Sequence, residues 1–314
     1  MHATLPKLSL LVLATTQLAR TLAMPASRRS TCTEPSIRVE WNTLTEDQKA
    51  AYFAAELCLL EAPAKTGIPS VVSRYDDFVG THAQQSDIPD GNDFWHVTGQ
   101  SVVLHYSPYT MLTQTIFQRF LHVHRYFVHV HETILRTECG YTGPLPYWNE
   151  VVDAGNFSAS PVLLDFGGNG DEENDWAVID GPFANLTLHL GIGTTNTEHL
   201  LTRQTYVDAL LAQDTFSGFK TTAAVLTTQS GVHPAGHLGI GGDMADYVTS
   251  PNDPMFWMHH AYLDYGNETQ KEPPTGYVET TGDTVIYIFD ILPDVTVADV
   301  LDTQNGLLCY TYAT

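Results

Sequence analysis

Apolar and polar positions alternate with helical spacing in three stretches of the chain. Leu44–Leu60 reads as a helix: Thr43 or Thr45 can cap it, Glu46 and Asp47 suit its first turn, and Ala and Leu follow. Phe120–Cys139 mixes aromatic, aliphatic and His positions and predicts a long helix, with Gly140 as its stop. Met255–Tyr265 predicts a third. Between them, Tyr141–Gly193 is rich in Gly, Pro, Asn and Asp and predicts long ordered loops. Its Phe166-Gly-Gly-Asn-Gly170 is a tight loop and not a phosphate cradle, since no Lys-Ser/Thr opens a helix after it. Alternating Val, Ile and Tyr over Thr284–Phe289 predicts a strand or extended segment. The pattern is mainly α with long loops and a few short strands, without internal repeats.

The N-terminus has a different pattern. Lys7 precedes an apolar run, Leu8–Ala14, and Thr21-Leu22-Ala23 places small residues where a signal peptidase cuts. Residues 1–23 are therefore read as a secretory signal and 24–314 as one domain, with Arg28-Arg29 as a dibasic processing point. The run is too short to span a bilayer. Secretion allows the four cysteines, Cys32, Cys58, Cys139 and Cys309, to form two disulfides, with three pairings open. The sequons at Asn156, Asn185 and Asn267 fit a glycosylated surface.

Charge narrows the partners. Lys and Arg total 14 against 36 Asp and Glu, a formal charge of −22 over 314 residues. Such a chain neither neutralises nucleic-acid phosphates nor adheres to an anionic membrane. The 14 His match all Lys and Arg together. His233-Pro-Ala-Gly-His237 spaces two imidazoles at i and i+4, one face of a helix, provided the helix starts at Pro234. Asp253-Pro-Met-Phe-Trp-Met-His259-His260 follows, and Asp264 lies where it would orient a ligand or fix the helix. A second set comprises His82, His96 and His124, with His131 a rival to His124 because seven residues return to the same helix face. His105, His122, His129, His131, His189 and His199 are taken as surface or satisfied core residues. Two imidazole triads in a secreted protein suit a coupled pair of copper ions better than zinc.

These motifs, with Arg38-Val-Glu-Trp41, Cys139-Gly-Tyr-Thr-Gly-Pro-Leu-Pro-Tyr-Trp148, Gly181-Pro-Phe183 and Cys309-Tyr-Thr-Tyr312, resemble the tyrosinase family of type 3 copper proteins, particularly the short secreted polyphenol oxidases of ascomycete fungi. The resemblance runs from Cys32 to Tyr312. It implies a four-helix bundle core holding a dinuclear copper centre. His82, His96 and His124 would hold one copper, and His233, His237 and His260 the other, with His260 preferred over His259. Phe120 and Phe256 would pack on the ligand imidazoles, and the disulfides would be Cys58–Cys139 and Cys32–Cys309. The implied activity is a monomeric enzyme that oxidises small phenols, o-diphenols above all, to quinones with O2.

The chain departs from the family at four points. Phe94 stands where a thioether Cys often lies, and Pro234 where an Asn accompanies monophenol hydroxylation. Both favour o-diphenol oxidation. His96 and His124 are 28 residues apart where the family has nine. Removing Ser101–Arg119, 19 residues or 57 nucleotides, restores that spacing, so 101–119 is read as an insertion, in origin a retained intron. After Asp264 the family's helix is cut short, with Tyr265-Gly-Asn267 running into Glu268-Thr-Gln-Lys-Glu-Pro-Pro. The alternatives are an inactive, copper-deficient relative or a non-catalytic copper- or dioxygen-binding protein.

Overall fold

A computed structural model describes residues 32–85, 120–154, 157–168, 170–174, 176–184, 186, 232–246, 248–267 and 281–313. The insertion at 101–119, the signal at 1–23 and the sequons at Asn156 and Asn185 lie outside them. The described part is mainly α. Strand β1 (Ser36–Glu40) leads into helix α1 (Glu46–Glu61). Thr45 caps α1 in a full capping box with Gln48, which decides between the two candidate caps. Helix α2 (Arg74–Gln85) starts at Ser73, whose Oγ accepts from Asp76 N at 3.0 Å while the Asp76 carboxylate accepts from Ser73 N at 2.9 Å.

Helix α3 (Phe120–Glu138) is buried on nearly every side, which marks it as the central helix. Gly140 ends it at φ 65°, a left-handed conformation that glycine adopts without strain, and Tyr141 N reaches back to the Leu135 carbonyl. Strand β2 (Pro146–Tyr147) and the short helix α4 (Pro161–Asp165) follow within the loop-rich region. Helices α5 (Val232–Ile240), α6 (Gly242–Ala245) and α7 (Met255–Asn267) complete the core. Asp253 caps α7, accepting from Met255 N at 2.9 Å. Strands β3 (Val285–Ile286) and β4 (Val295–Thr296) form a small antiparallel pair, and α8 (Val297–Val300) and β5 (Tyr310–Tyr312) end the chain.

The strand expected over Thr284–Phe289 is thus only two residues long. Phe289 and Asp290 take positive φ of 48° and 61° and turn the chain out of extended structure.

Strand β1 lies between β2 and β5, parallel to both, with Ser36 beside Tyr310 and Val39 beside Pro146. The disulfides Cys32–Cys309 and Cys58–Cys139 staple this sheet and join α1 to the end of α3. Helix α7 packs on α3 and α5, and α1 packs on α2 and α3. At their centre Phe78, Phe127, Phe256 and Trp257 are fully or almost fully buried.

A buried ionic network pins the far end of α7. The Asp264 carboxylate accepts from Arg38 Nη1 at 3.0 Å and from Arg125 Nε at 2.6 Å. The Tyr310 and Tyr312 hydroxyls donate to it as well. Arg38 also binds Glu132 at 2.9 Å, and Glu132 binds Arg136 at 2.8 Å. Burial pushes the Asp264 carboxyl upward, but Arg125, Arg38 and Tyr310 outweigh it and hold it below the usual carboxylate range. Asp264 therefore fixes the helix and contacts the sheet, not a ligand imidazole. Helix α7 runs on seven residues past His260, to Asn267.

Candidate metal centre

Four helices bring imidazoles together: α2 contributes His82, α3 His124, α5 His233 and His237, and α7 His259 and His260. The rings of His82 and His124 lie 5.8 Å apart, and those of His233 and His237 4.6 Å apart. His124 and His260 stack at 4.2 Å, so the two groups meet there. His237 and His233 lie 5.4 and 5.5 Å from His260.

Three of these rings have a fixed tautomer. His82 Nδ1 donates to the Val248 carbonyl at 2.9 Å, His124 Nδ1 to the Phe120 carbonyl at 3.0 Å, and His237 Nδ1 to the Met244 carbonyl at 2.7 Å. A carbonyl can only accept, so the proton is on Nδ1 and the lone pair on Nε2. This is how metal-ligating imidazoles are usually oriented. Both His260 ring nitrogens are buried and have no hydrogen-bond partner. An unpartnered buried polar group is costly unless something else satisfies it.

Burial, together with neighbouring His259, pushes the His237 imidazole down to about 3, against a smaller opposing pull from its bond to Met244. Burial and then the His124 ring lower His260 as well. These rings are neutral at ordinary pH, the form that binds a metal. The ligand nitrogens of His233, His237, His259 and His260 all lie within 4.8 Å of one another. The chemistry of this donor set fits copper: imidazoles with fixed tautomers, in a buried setting, and among the described residues no carboxylate or thiolate in the cluster.

Phe120 and Phe256 cover the rings. Phe120 lies 4.3 Å from His124 and 4.6 Å from His233. Phe256 lies 4.2 Å from His260 and 5.4 Å from His82. Of the six expected ligands, His82, His124, His233, His237 and His260 come together, and His96 lies outside the described residues. His105, His189 and His199 do so too. His131 is not a rival to His124. Its ring stacks flat on Trp257 at 4.0 Å, and its Nε2 meets Glu56 at 3.0 Å, away from the cluster. Asn267 is the last residue of α7.

One contact was not foreseen. Glu150, in the turn after β2, binds His259 Nδ1 through its carboxylate, and both residues are fully buried. They lie 109 residues apart, so no spacing links them. The only hint was a lone acid next to Trp148 in an otherwise apolar motif.

The comparisons with known proteins agree with this geometry. Residues 72–269 match the family model of the common central domain of tyrosinase. The chain is 30% identical to the tyrosinase-like protein phomQ1' of Diaporthe leptostromiformis, covering 90% of this chain and 80% of that protein. It is 25% identical to N-acetyl-6-hydroxytryptophan oxidase ivoB of Emericella nidulans, covering 94% and 96%. Among solved structures, a mutant polyphenol oxidase from Thermothelomyces thermophila superposes with a TM-score of 0.69 at 27% identity, covering 89% of each chain. The chain belongs to the tyrosinase family, whose members are dinuclear copper proteins that use phenolic substrates and O2.

Proposed function

We propose that this chain is a secreted dinuclear copper oxidoreductase that oxidises o-diphenols and related phenols to quinones with O2, acting as a monomer. The observation that carries the proposal is the set of carbonyl-fixed imidazoles on α2, α3 and α5, facing a His260 ring with no hydrogen-bond partner. His82 and His124, with His96, would hold one copper; His233, His237 and His260 would hold the other. When bound, the copper pair supplies dioxygen binding and the two-electron oxidation of the phenol. Two catechols and one O2 then give two o-quinones and two waters.

This chain's residues set the conditions. The Val248, Phe120 and Met244 carbonyls keep the ligand tautomers fixed. Phe120 and Phe256 wedge the rings apart and exclude water from their inner faces. Burial keeps the imidazoles neutral. Pro234 and Phe94 stand at the two positions whose usual residues accompany tyrosine hydroxylation and thioether formation, which favours diphenols. The likeness to an N-acetyl-6-hydroxytryptophan oxidase supports a wider set that includes hydroxyindoles. The two disulfides and the signal-like N-terminus support secretion.

An oxygen electrode tests the reading. Copper-loaded protein should consume O2 at once with catechol and more slowly, after a lag, with tyrosine. Copper-loaded protein that consumes no O2 with catechol, a guaiacol or a hydroxyindole would refute it.

A further inference from the structure

The Glu150–His259 pair has no part in the ligand set described above. A core that needed only volume at this point would be at least as stable with an apolar pair. Instead a carboxylate accepts from His259 Nδ1–H, which puts the lone pair on Nε2. That Nε2 is buried, without a hydrogen-bond partner, and within 4.8 Å of the ligand nitrogens of His233, His237 and His260. The His259 ring lies 5.6 Å from that of His233, nearly parallel, and 4.8 Å from that of His237, edge-on.

Helix α5 leaves room for the pair. Gly236 lies against it, and a Cβ there would come within 2.9 Å of Glu150 Oε1 and closer still to the His259 ring. The turn that carries Glu150 is itself held in place. Trp148 N donates to the Met258 carbonyl at 3.1 Å, next to His259. Trp148 Nε1 and Ser160 Oγ both donate to Asp153 at 2.7 Å.

We propose that Glu150 and His259 are positioning residues for the second copper site: the carboxylate fixes the His259 ring as a wall behind His233 and His237, in a notch opened by Gly236. The inference rests on the copper reading above. The fixed wall limits how far the two ligand rings can rotate, and its lone pair adds to the field that favours a cation over an empty cluster.

Copper titration of the metal-free full chain tests it, with the thermal midpoint of each metal-free protein measured alongside. Two variants are needed. In E150Q the amide oxygen still accepts from His259 Nδ1. In the double variant E150L/H259F an apolar pair of similar size replaces both groups, leaving no buried charge behind. The wild type should bind two coppers. The double variant should bind one of them about 10- to 100-fold more weakly and the other normally, and E150Q should stay within a few-fold of wild type. A double variant that binds both coppers like the wild type, whatever its thermal midpoint, would show a packing role only and overturn the inference. A wild type that takes up no copper would overturn the proposed function and this inference with it.

Discussion

At the residue scale the centre depends on small, fixed choices of tautomer and charge. His237 is bound to a carbonyl, buried and neutral, so nothing nearby can replace it as a donor except rings already in use. His237→Ala should leave at most one copper per chain by elemental analysis, and no catechol turnover. Asp264 is the other fixed point. Asp264→Asn would leave Arg38 and Arg125 buried beside a neutral group, at a cost of about 3–5 kcal/mol. Urea unfolding should show that loss as a lowered midpoint with an unchanged slope. The sequence left open whether Asp264 orients a ligand or fixes the helix. The answer depends on Arg38, 226 residues away, and on Arg125, which no local pattern brings near it. The Glu150–His259 contact was hidden for the same reason. His131 shows the limit of spacing on a fully buried helix: α3 has no solvent face, so sharing a face with His124 does not mean sharing a site.

At the element scale, helices α1, α3 and α7 were readable because each carries its own signals. Thr45 with Gln48 starts α1, Gly140 stops α3, and Asp253-Pro254 opens α7. Helix α2, which carries His82, was not identified. Its signal is Ser73-x-x-Asp76, a capping box with Asp where Glu or Gln is usual, preceding a strongly polar first turn. Ser73→Ala should cost about 1 kcal/mol, read by chemical unfolding, while copper stoichiometry stays the same. The expected strand over Thr284–Phe289 shows the opposite error. Alternation alone predicted six residues, but only two pair, since β4 offers two partners and Phe289 turns away. Strand β1 was visible only as a motif, because its order between β2 and β5 is set by chain ends 270 or more residues apart.

At the scale of the whole molecule, acid should be the main threat to the fold. Burial, partly countered by Glu132, pushes the His129 imidazole down to about 4. A buried neutral His disfavours the protonated form, so the unfolded chain binds the extra proton. Stability is therefore lost as pH falls from about 6.5 towards 4, by about 1.4 kcal/mol per pH unit for this group. Asp264 and Glu132 are both held below the usual carboxylate range despite burial, by Arg125 and Arg38 in the first case and Arg38 and Arg136 in the second. Their contribution is complete above that range and lost as pH falls through their lowered values. The thermal midpoint of the metal-free chain should fall steadily below pH 6.5 and more steeply below about pH 4. The Cys32–Cys309 bridge closes a separation of 277 residues and ties β1 to β5, which bears the tyrosines bound to Asp264. Replacing both cysteines by serine should lower stability by about 2–5 kcal/mol.

The central claim is that these imidazoles hold two coppers. Elemental analysis of the purified secreted protein, with a variant lacking Ser101–Arg119 measured beside it, tests this most directly. The account predicts two coppers per chain in both, with the 19 residues looped out of the site in the longer form. No copper in either, from protein that is folded and has both disulfides formed, would contradict it.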